Sequence, residues 1–381
     1  MLQIYNISKT NRCTACGAWV NVCPKSCIEW AEDNEGFLQL NIREEDCINC
    51  GLCDKTCPVI NEPRYFSENN CFAAWSNDDY IRSTSSSGGM FLSLANEIIK
   101  EDGVVYGVIL DSEGNVHHQK VSNYDALKAM QGSKYVQSNV GNSYHEIKET
   151  LKTGQKVMFT GTPCQVAGLR KVVGYHENLL AVDILCHGVP ANKLFKDYIN
   201  KLRREIGAFD VSSFDFRNRK GWGCQSSITL SDGNRVVLSK EKDVYLKLFL
   251  KDTLLRESCY QCPFAKTERC SDITIADFWR IGAKESFDYD TSKGCSLVIV
   301  HSDAGKNALN KCNNLFIQAR NLQEAIEGNP NLWRPTIRPK SRDSIYDYFY
   351  NHSLKAVDRK YLSGLWFRCK RFAGKVKRKL S

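Results

Sequence analysis

Apolar positions along this chain follow two rhythms. Five segments are apolar runs of strand length: GVVYGVIL (103–110), KVMFTG (156–161), LLAVDIL (179–185), DITIADF (272–278) and SLVIV (296–300). Between some of them, FLSLANEIIKED (91–102) and KLFKDYINKLRREIG (193–207) carry apolar residues at helical spacing, which predicts amphipathic helices. Strands interleaved with helices predict an α/β body over residues 71–340. Ahead of it, residues 1–62 are cysteine-rich, and NEPRYFSENN (61–70) reads as a polar linker. From 341 to 381 the chain turns aromatic and basic without a strand signal and is expected to form a C-terminal tail. A length of 381 residues fits two or three such units at roughly 150 residues each.

Charge sharpens the boundary at the end of the chain. Lysine and arginine total 52 against 43 acidic residues, yet residues 354–381 hold ten of the basic groups and only one acid, Asp358. The rest of the chain is neutral, which argues against nucleic-acid binding by the body. The segment LWFRCKRFAGKVKRKL (365–380) interleaves Leu365, Trp366, Phe367 and Phe372 with cations. As a helix it would suit an anionic membrane surface or an acidic partner, and otherwise it is a solvated terminus.

Cysteine changes the picture most. Of 18 cysteines, eight fall between residues 13 and 57. The opening MLQIYNISKTNRC has no apolar stretch of the signal-peptide kind, and no uncharged apolar run reaches ~18 residues, so a disulfide framework and a membrane span are not expected. A reduced, cytoplasmic setting is, and there closely spaced thiols bind metal. CINCGLCDKTCP (47–58) is C-x2-C-x2-C-x3-C-P, the ferredoxin spacing in which three close cysteines hold one cubane and the fourth ligates a second cluster. CTACGAWVNVCP (13–24) repeats the frame with Trp19 at the third ligand position.

Crossed ligation gives Cys23, Cys47, Cys50 and Cys53 to one complete 4Fe-4S site and leaves Cys13, Cys16 and Cys57 for the other. Indole offers only an N–H donor, so Trp19 cannot stand in for the missing thiolate. Three outcomes stay open for that second site: a 3Fe-4S cluster, a cubane completed by Cys27 or a non-cysteine ligand, or an empty site packed by the ring. Zinc on the same thiolates is the alternative for the zone as a whole.

Four body segments also carry chemistry. STSSSGGMFLSLANEI (83–98) sets hydroxyls and Gly88-Gly89 before a helix, where free N–H groups favour a phosphate, although a serine-rich cap looks the same. TGTPCQVAGLR (160–170) and ILCHGVP (184–190) each follow a strand, placing Thr162 with Cys164, and Cys186 with His187, at strand carboxyl ends where α/β sheets bind ligands. In CYQCPFAKTERCSDITIADFW (259–279), Cys259 and Cys262 supply half a four-ligand site, so the other ligands must come from Cys270 or from Cys164 and Cys186. Cys71, Cys224, Cys295, Cys312 and Cys369 read as unrelated thiols.

Together with SSSGGM (85–90), GSKYVQS (132–138), TGTPCQ (160–165), LCHGVP (185–190) and RCSDITIADFW (269–279), the sequence over about 10–340 resembles the coenzyme F-420 hydrogenase/dehydrogenase beta-subunit family, which includes 7-hydroxymethyl chlorophyll a reductase-like proteins. The resemblance implies an α+β ferredoxin-like iron-sulfur domain followed by a larger α/β flavin-binding body. It places FAD at Ser86, Ser87, Gly88, Gly89, Lys134 and Thr162, and a body cluster at Cys164, Cys259 and Cys262, with Cys186 and Cys270 competing for the fourth position. His187 as proton donor and Lys134 as counter-charge are the candidate catalytic groups, each with a bland alternative as a loop histidine and an exposed lysine. The implied activity is electron transfer between ferredoxin-type clusters and FAD, serving a small redox substrate or deazaflavin-like coenzyme, with or without a redox partner protein. An electron-carrier subunit lacking its own substrate is the alternative. A non-redox protein whose cofactor sites have decayed is a further one.

Overall fold

The computed structural model describes Ile7 and residues 10–206, 211–217, 222–239 and 243–363. Near the N-terminus, β1 (Ile28–Glu32) and β2 (Leu38–Ile42) pair antiparallel, Ile28 opposite Ile42. Asp33 builds the reversal: one carboxylate oxygen accepts the N–H groups of Glu35 and Phe37, both at 2.9 Å. The core of this small domain contains Ala18, Trp19 and Ile28 but is filled mainly by cysteines, among them Cys13, Cys16, Cys27, Cys53 and Cys57.

The chain continues through β3 (Asn70–Ser76), β4 (Val104–Leu110), β5 (Val116–Val121), β6 (Val157–Gly161) and β7 (Leu179–Ile184). Short strands β8 (Val211–Asp215), β9 (Ser227–Leu230) and β10 (Arg235–Val237) follow, then β11 (Ile273–Asp277), β12 (Ser296–Val300) and β13 (Leu315–Ala319). Eight strands form one mixed sheet in the order β13-β3-β12-β11-β7-β6-β4-β5. Its centre, β11-β7-β6-β4, is parallel, and the flanking pairs are antiparallel.

Side chains alternate across that centre. Val104, Tyr106, Val157, Phe159, Leu179 and Ala181 enter one core, while Val105, Met158, Leu180 and Val182 enter the other. Helix Met90–Lys100 covers the second face, and helices Ser143–Lys152 and Pro163–Val172 the first. Burial on both faces is why these strands read as unbroken apolar runs.

A third layer joins helix Asn192–Ile206, the β8–β10 sheet and helix Val244–Phe249 around Phe195, Tyr198, Phe216 and Tyr245. Residues 341–363, expected as part of a tail, belong to this layer. Helices Arg342–Asn351 and Leu354–Asp358 bury Ile345, Tyr346, Phe349, Leu354 and Val357 in its core. The aromatic composition that looked tail-like is core filling at helical spacing. The basic segment 365–380 lies outside the described residues. Among the described residues, no helix is long and apolar enough to cross a membrane.

Candidate metal centres

In the N-terminal domain the cysteines divide between two pockets as crossed ligation predicts. The outer pocket, about 380 Å3, is lined by Cys23, Cys47, Cys50 and Cys53 together with Pro24, Ile42, Ile48 and Leu52. Asn49 and Gly51 adopt left-handed φ of 53° and 71°, which turns the three close cysteines about one centre, and Cys53 rides on the helix that starts after Gly51. Cys27 lies here as well, its Sγ 3.3 Å from that of Cys23. Burial, with Cys23 and Cys47 adding to it, pushes the Cys27 thiol up to about 12. Cys27 lines the outer pocket and not the other one, so at the other site a 3Fe-4S cluster, a cubane completed by a non-cysteine ligand and an empty site packed by the ring stay open.

The middle pocket, about 270 Å3, is lined by Cys13, Cys16, Cys57, Trp19 and Trp30. All three of its thiols are buried, whereas Cys50 of the outer pocket is exposed. Trp19 is 5% exposed, and the indole Nε1 atoms of Trp19 and Trp30 are buried without a hydrogen-bond partner. Burial raises the Cys57 thiol, and the Trp19 indole N–H works against that rise.

The body clamps this pocket. Arg256 Nε donates to the Cys13 carbonyl at 2.8 Å, Gln137 Nε2 to that of Thr14 at 3.2 Å, and the Tyr144 hydroxyl to that of Cys16 at 2.6 Å. Gly168 admits the close approach: a Cβ there would sit 3.1 Å from Cys16 Sγ.

A third pocket, about 530 Å3, opens at the carboxyl ends of β6 and β7 and is lined by Cys164, Cys186, Cys259 and Cys262 with Thr14, Thr162, His187 and Arg269. Cys164 sits in the first turn of helix Pro163–Val172, whose start is fixed by Gln165: its Oε1 accepts the Thr162 N–H at 3.0 Å, and its Nε2 donates to Ser138. Cys186 follows β7. Gly188, at φ 123°, lets that loop pass Leu255, where a Cβ would stand 2.6 Å from Cδ1. Cys259 and Cys262 come from the turn Glu257–Gln261 and the residue after it.

Burial pushes the Cys186 thiol well above its ordinary value, with Cys259, Cys164 and Cys262 adding to the rise. Cys270 does not line this pocket. It is buried in the core beneath helix Pro163–Val172, its thiol pushed up to about 12 by burial and by Asp183. Among the described residues, no three His, Cys, Asp or Glu side chains converge as tightly as a single metal ion requires.

Arg269 was not singled out by the sequence. It is 2% exposed, pairs through Nη1 with Asp183 at 3.7 Å and donates from it to the Phe264 carbonyl at 3.0 Å, while its Nε and Nη2 have no hydrogen-bond partner, and its charge works against the rise of the Cys262 thiol. His187 Nε2 contacts Asp252 Oδ1, and its ring lies 5.1 Å from Phe249. Asp252, with left-handed φ of 62°, was equally missed.

The residues expected at a flavin are tied up differently. Ser86 Oγ accepts the Ser133 N–H, Ser87 Oγ donates to the Cys295 carbonyl, and the Gly88 N–H donates to Ser296 Oγ, each at 2.9 Å. A Cβ on Gly88 would meet the Ala74 carbonyl at 2.4 Å, and Gly89 has left-handed φ of 89°, so both glycines are required by packing and backbone. Lys134 Nζ donates to the carbonyls of Met130 and Gln131 at 2.8 Å, capping helix Tyr124–Met130. Thr162 belongs to the cysteine pocket, its Oγ1 3.1 Å from Cys164 Sγ.

Comparison with known proteins agrees with this division. Residues 154–325 match the family described as the C terminus of the coenzyme F420 hydrogenase/dehydrogenase beta subunit, and residues 12–61 match the 4Fe-4S dicluster domain. An uncharacterized protein of Methanocaldococcus jannaschii is 24% identical over 344 residues, covering 78% of this chain and 85% of that one. A chain of the xenon-derivatized F420-reducing nickel-iron hydrogenase complex from Methanosarcina barkeri is similar at 16% identity and a TM-score of 0.44, over 79% of this chain and 94% of that one.

Proposed function

We propose a function from one premise: the chain carries the C-terminal domain of the coenzyme F420 hydrogenase/dehydrogenase beta-subunit family behind a 4Fe-4S dicluster domain, and is an iron-sulfur electron-transfer protein of that type. In this reading Cys23, Cys47, Cys50 and Cys53 hold an outer 4Fe-4S cluster and Cys164, Cys186, Cys259 and Cys262 a body cluster, with Cys13, Cys16 and Cys57 between them. Both four-thiol pockets suit an anionic cluster. The body pocket adds the Arg269 guanidinium, which pairs with Asp183 through Nη1 and keeps Nε and Nη2 without partners, so that part of its charge offsets the buried negative charge. Such clusters take up and release single electrons.

One observation carries the proposal: Thr14 lines both the middle pocket and the body pocket, and Gly168 lets Cys16 pack on the helix that bears Cys164. The middle and body centres are therefore neighbours, and in this reading electrons enter or leave through the outer centre at exposed Cys50. Beside the body centre, Asp252 holds the His187 ring, a group able to keep or release a proton.

FAD at the Ser86–Gly89 loop, exchanging hydride with a small acceptor or donor such as a deazaflavin-like coenzyme, is the finer part of the reading. Ser87, Gly88 and Lys134 place polar groups on the chain's own backbone and on Ser296, which favours as second reading an electron-carrier subunit that turns over no substrate of its own. Absorbance of the anaerobically purified chain, followed by acid extraction of flavin, separates the two. A broad thiolate-to-iron band with stoichiometric FAD supports the enzyme, and the band without flavin supports the carrier. A colourless protein overturns both.

A further inference from the structure

The dicluster match implies two four-iron sites between residues 12 and 61, and the middle pocket does not supply the ligands for a second one. Its thiols are Cys13, Cys16 and Cys57. Cys27, the spare cysteine of the domain, stands 3.3 Å from Cys23 at the outer pocket, and Cys164 belongs to the body pocket. What the middle pocket has instead is a pair of donors. Trp19, at the frame's third ligand position, and Trp30, on β1, reach it from different elements, and both bring a buried indole N–H that makes no hydrogen bond of good geometry, that of Trp19 lying beside the Cys57 thiol.

Two such N–H groups at one enclosed site need an electron-rich partner. Indole has no lone pair free for iron. Cluster sulfides and cysteine thiolates are the acceptors that this donor set fits.

Resting on the iron-sulfur reading above, we infer that the middle site holds a three-iron cluster at Cys13, Cys16 and Cys57, with the Trp19 and Trp30 N–H groups donating to its sulfurs. The arrangement is selective in two ways. A fourth iron would lack a thiolate at the corner that Trp19 fills. Donors to sulfur favour the reduced, more negative state and so raise the reduction potential. The middle centre is thus the one most ready to accept an electron, between neighbours with four thiolates each.

The test is electron paramagnetic resonance of the anaerobically purified full chain. An oxidised three-iron cluster carries an unpaired electron and an oxidised low-potential cubane does not, so the expected result is a three-iron signal of about one spin per chain. Trp19→Phe and Trp30→Phe keep the rings, and should keep the signal while lowering its midpoint potential in a redox titration. Trp19→Cys should replace the signal with a fourth iron.

Cubane iron at the other sites without a three-iron signal overturns this inference alone. A signal that fails to return on re-oxidation after treatment with ferrous iron and reductant, with a fourth iron retained, marks a damaged cubane and also overturns it. Unchanged potentials in both Phe variants overturn the role of the indoles. Absence of iron from every site overturns the functional reading together with it.

Discussion

The outer and middle pockets descend from one repeated sequence frame and have diverged in their surroundings. Around the outer pocket Cys50 is exposed and Ile48 is 57% exposed, so solvent or another protein reaches the metal edge. Around the middle pocket every thiol is buried, and three body side chains hold the backbone carbonyls of Cys13, Thr14 and Cys16. A cysteine frame specifies how many ligands a site has. The surface packed against the frame decides whether the site exchanges electrons with the outside or only passes them inward.

The strongest challenge to that contrast acts at the body pocket. Cys186→Ala should remove the body cluster, about four iron atoms per chain, and lower the melting temperature, because ligands from distant segments bind metal only in the folded chain. Cys270→Ala should keep the iron and cost about 1 kcal/mol by denaturant titration. If the two variants exchange these outcomes, Cys270 is the ligand.

Cys50→Ala should then lose about four iron atoms from the outer site, leaving the middle and body sites loaded. Gly168→Val tests the middle site from the body side. Its added methyl groups press on Cys16 and should destabilise the chain by ~1–3 kcal/mol and deplete the middle iron with the outer site intact. Equal loss from both sites would show that the pockets are not separately supported. Smallest of all, Cys27→Ser should leave iron content unchanged, while Cys23→Ser should lose less iron than Cys50→Ala because Cys27 stands ready to replace it.

How much of this was legible depends on whether a feature is local. The four central strands and β12 announce themselves because they are buried on both faces and their runs are mostly apolar. The edge strands β13 and β5, and β3 next to the edge, carry mixed patterns and did not. The crossed cysteine sets follow from spacing, since the ligands of each loop lie within eleven residues of one another.

Choosing Cys186 over Cys270 was out of reach. Cys270 continues the 259–262 run, whereas Cys186 arrives only because β7 lies between β6 and β11 in the sheet. Arg269 and Trp30 gave no signal, because a buried arginine and a pocket-lining tryptophan look like any others in one dimension. The helices after 341 escape notice when aromatic and basic composition is weighed there without its spacing.

The clamp on the middle pocket bears on how the protein is made. Arg256 is synthesised 199 residues after Cys57, the last cysteine of the N-terminal pair of pockets. At roughly 5–20 residues per second, the ribosome takes on the order of 10–40 s to cover that distance. Throughout that interval eight thiols are outside or leaving the exit tunnel without the side chains that later seal Cys13 and Cys16. Insertion of iron at the outer loop can begin during translation. The middle centre must wait for the rest of the chain, and the body pocket waits slightly longer, for Cys259 and Cys262. The N-terminal segment is therefore not a portable ferredoxin that happens to be fused ahead of a larger domain. Its inner half is finished last, by residues the ribosome has not yet reached when its own sequence is complete.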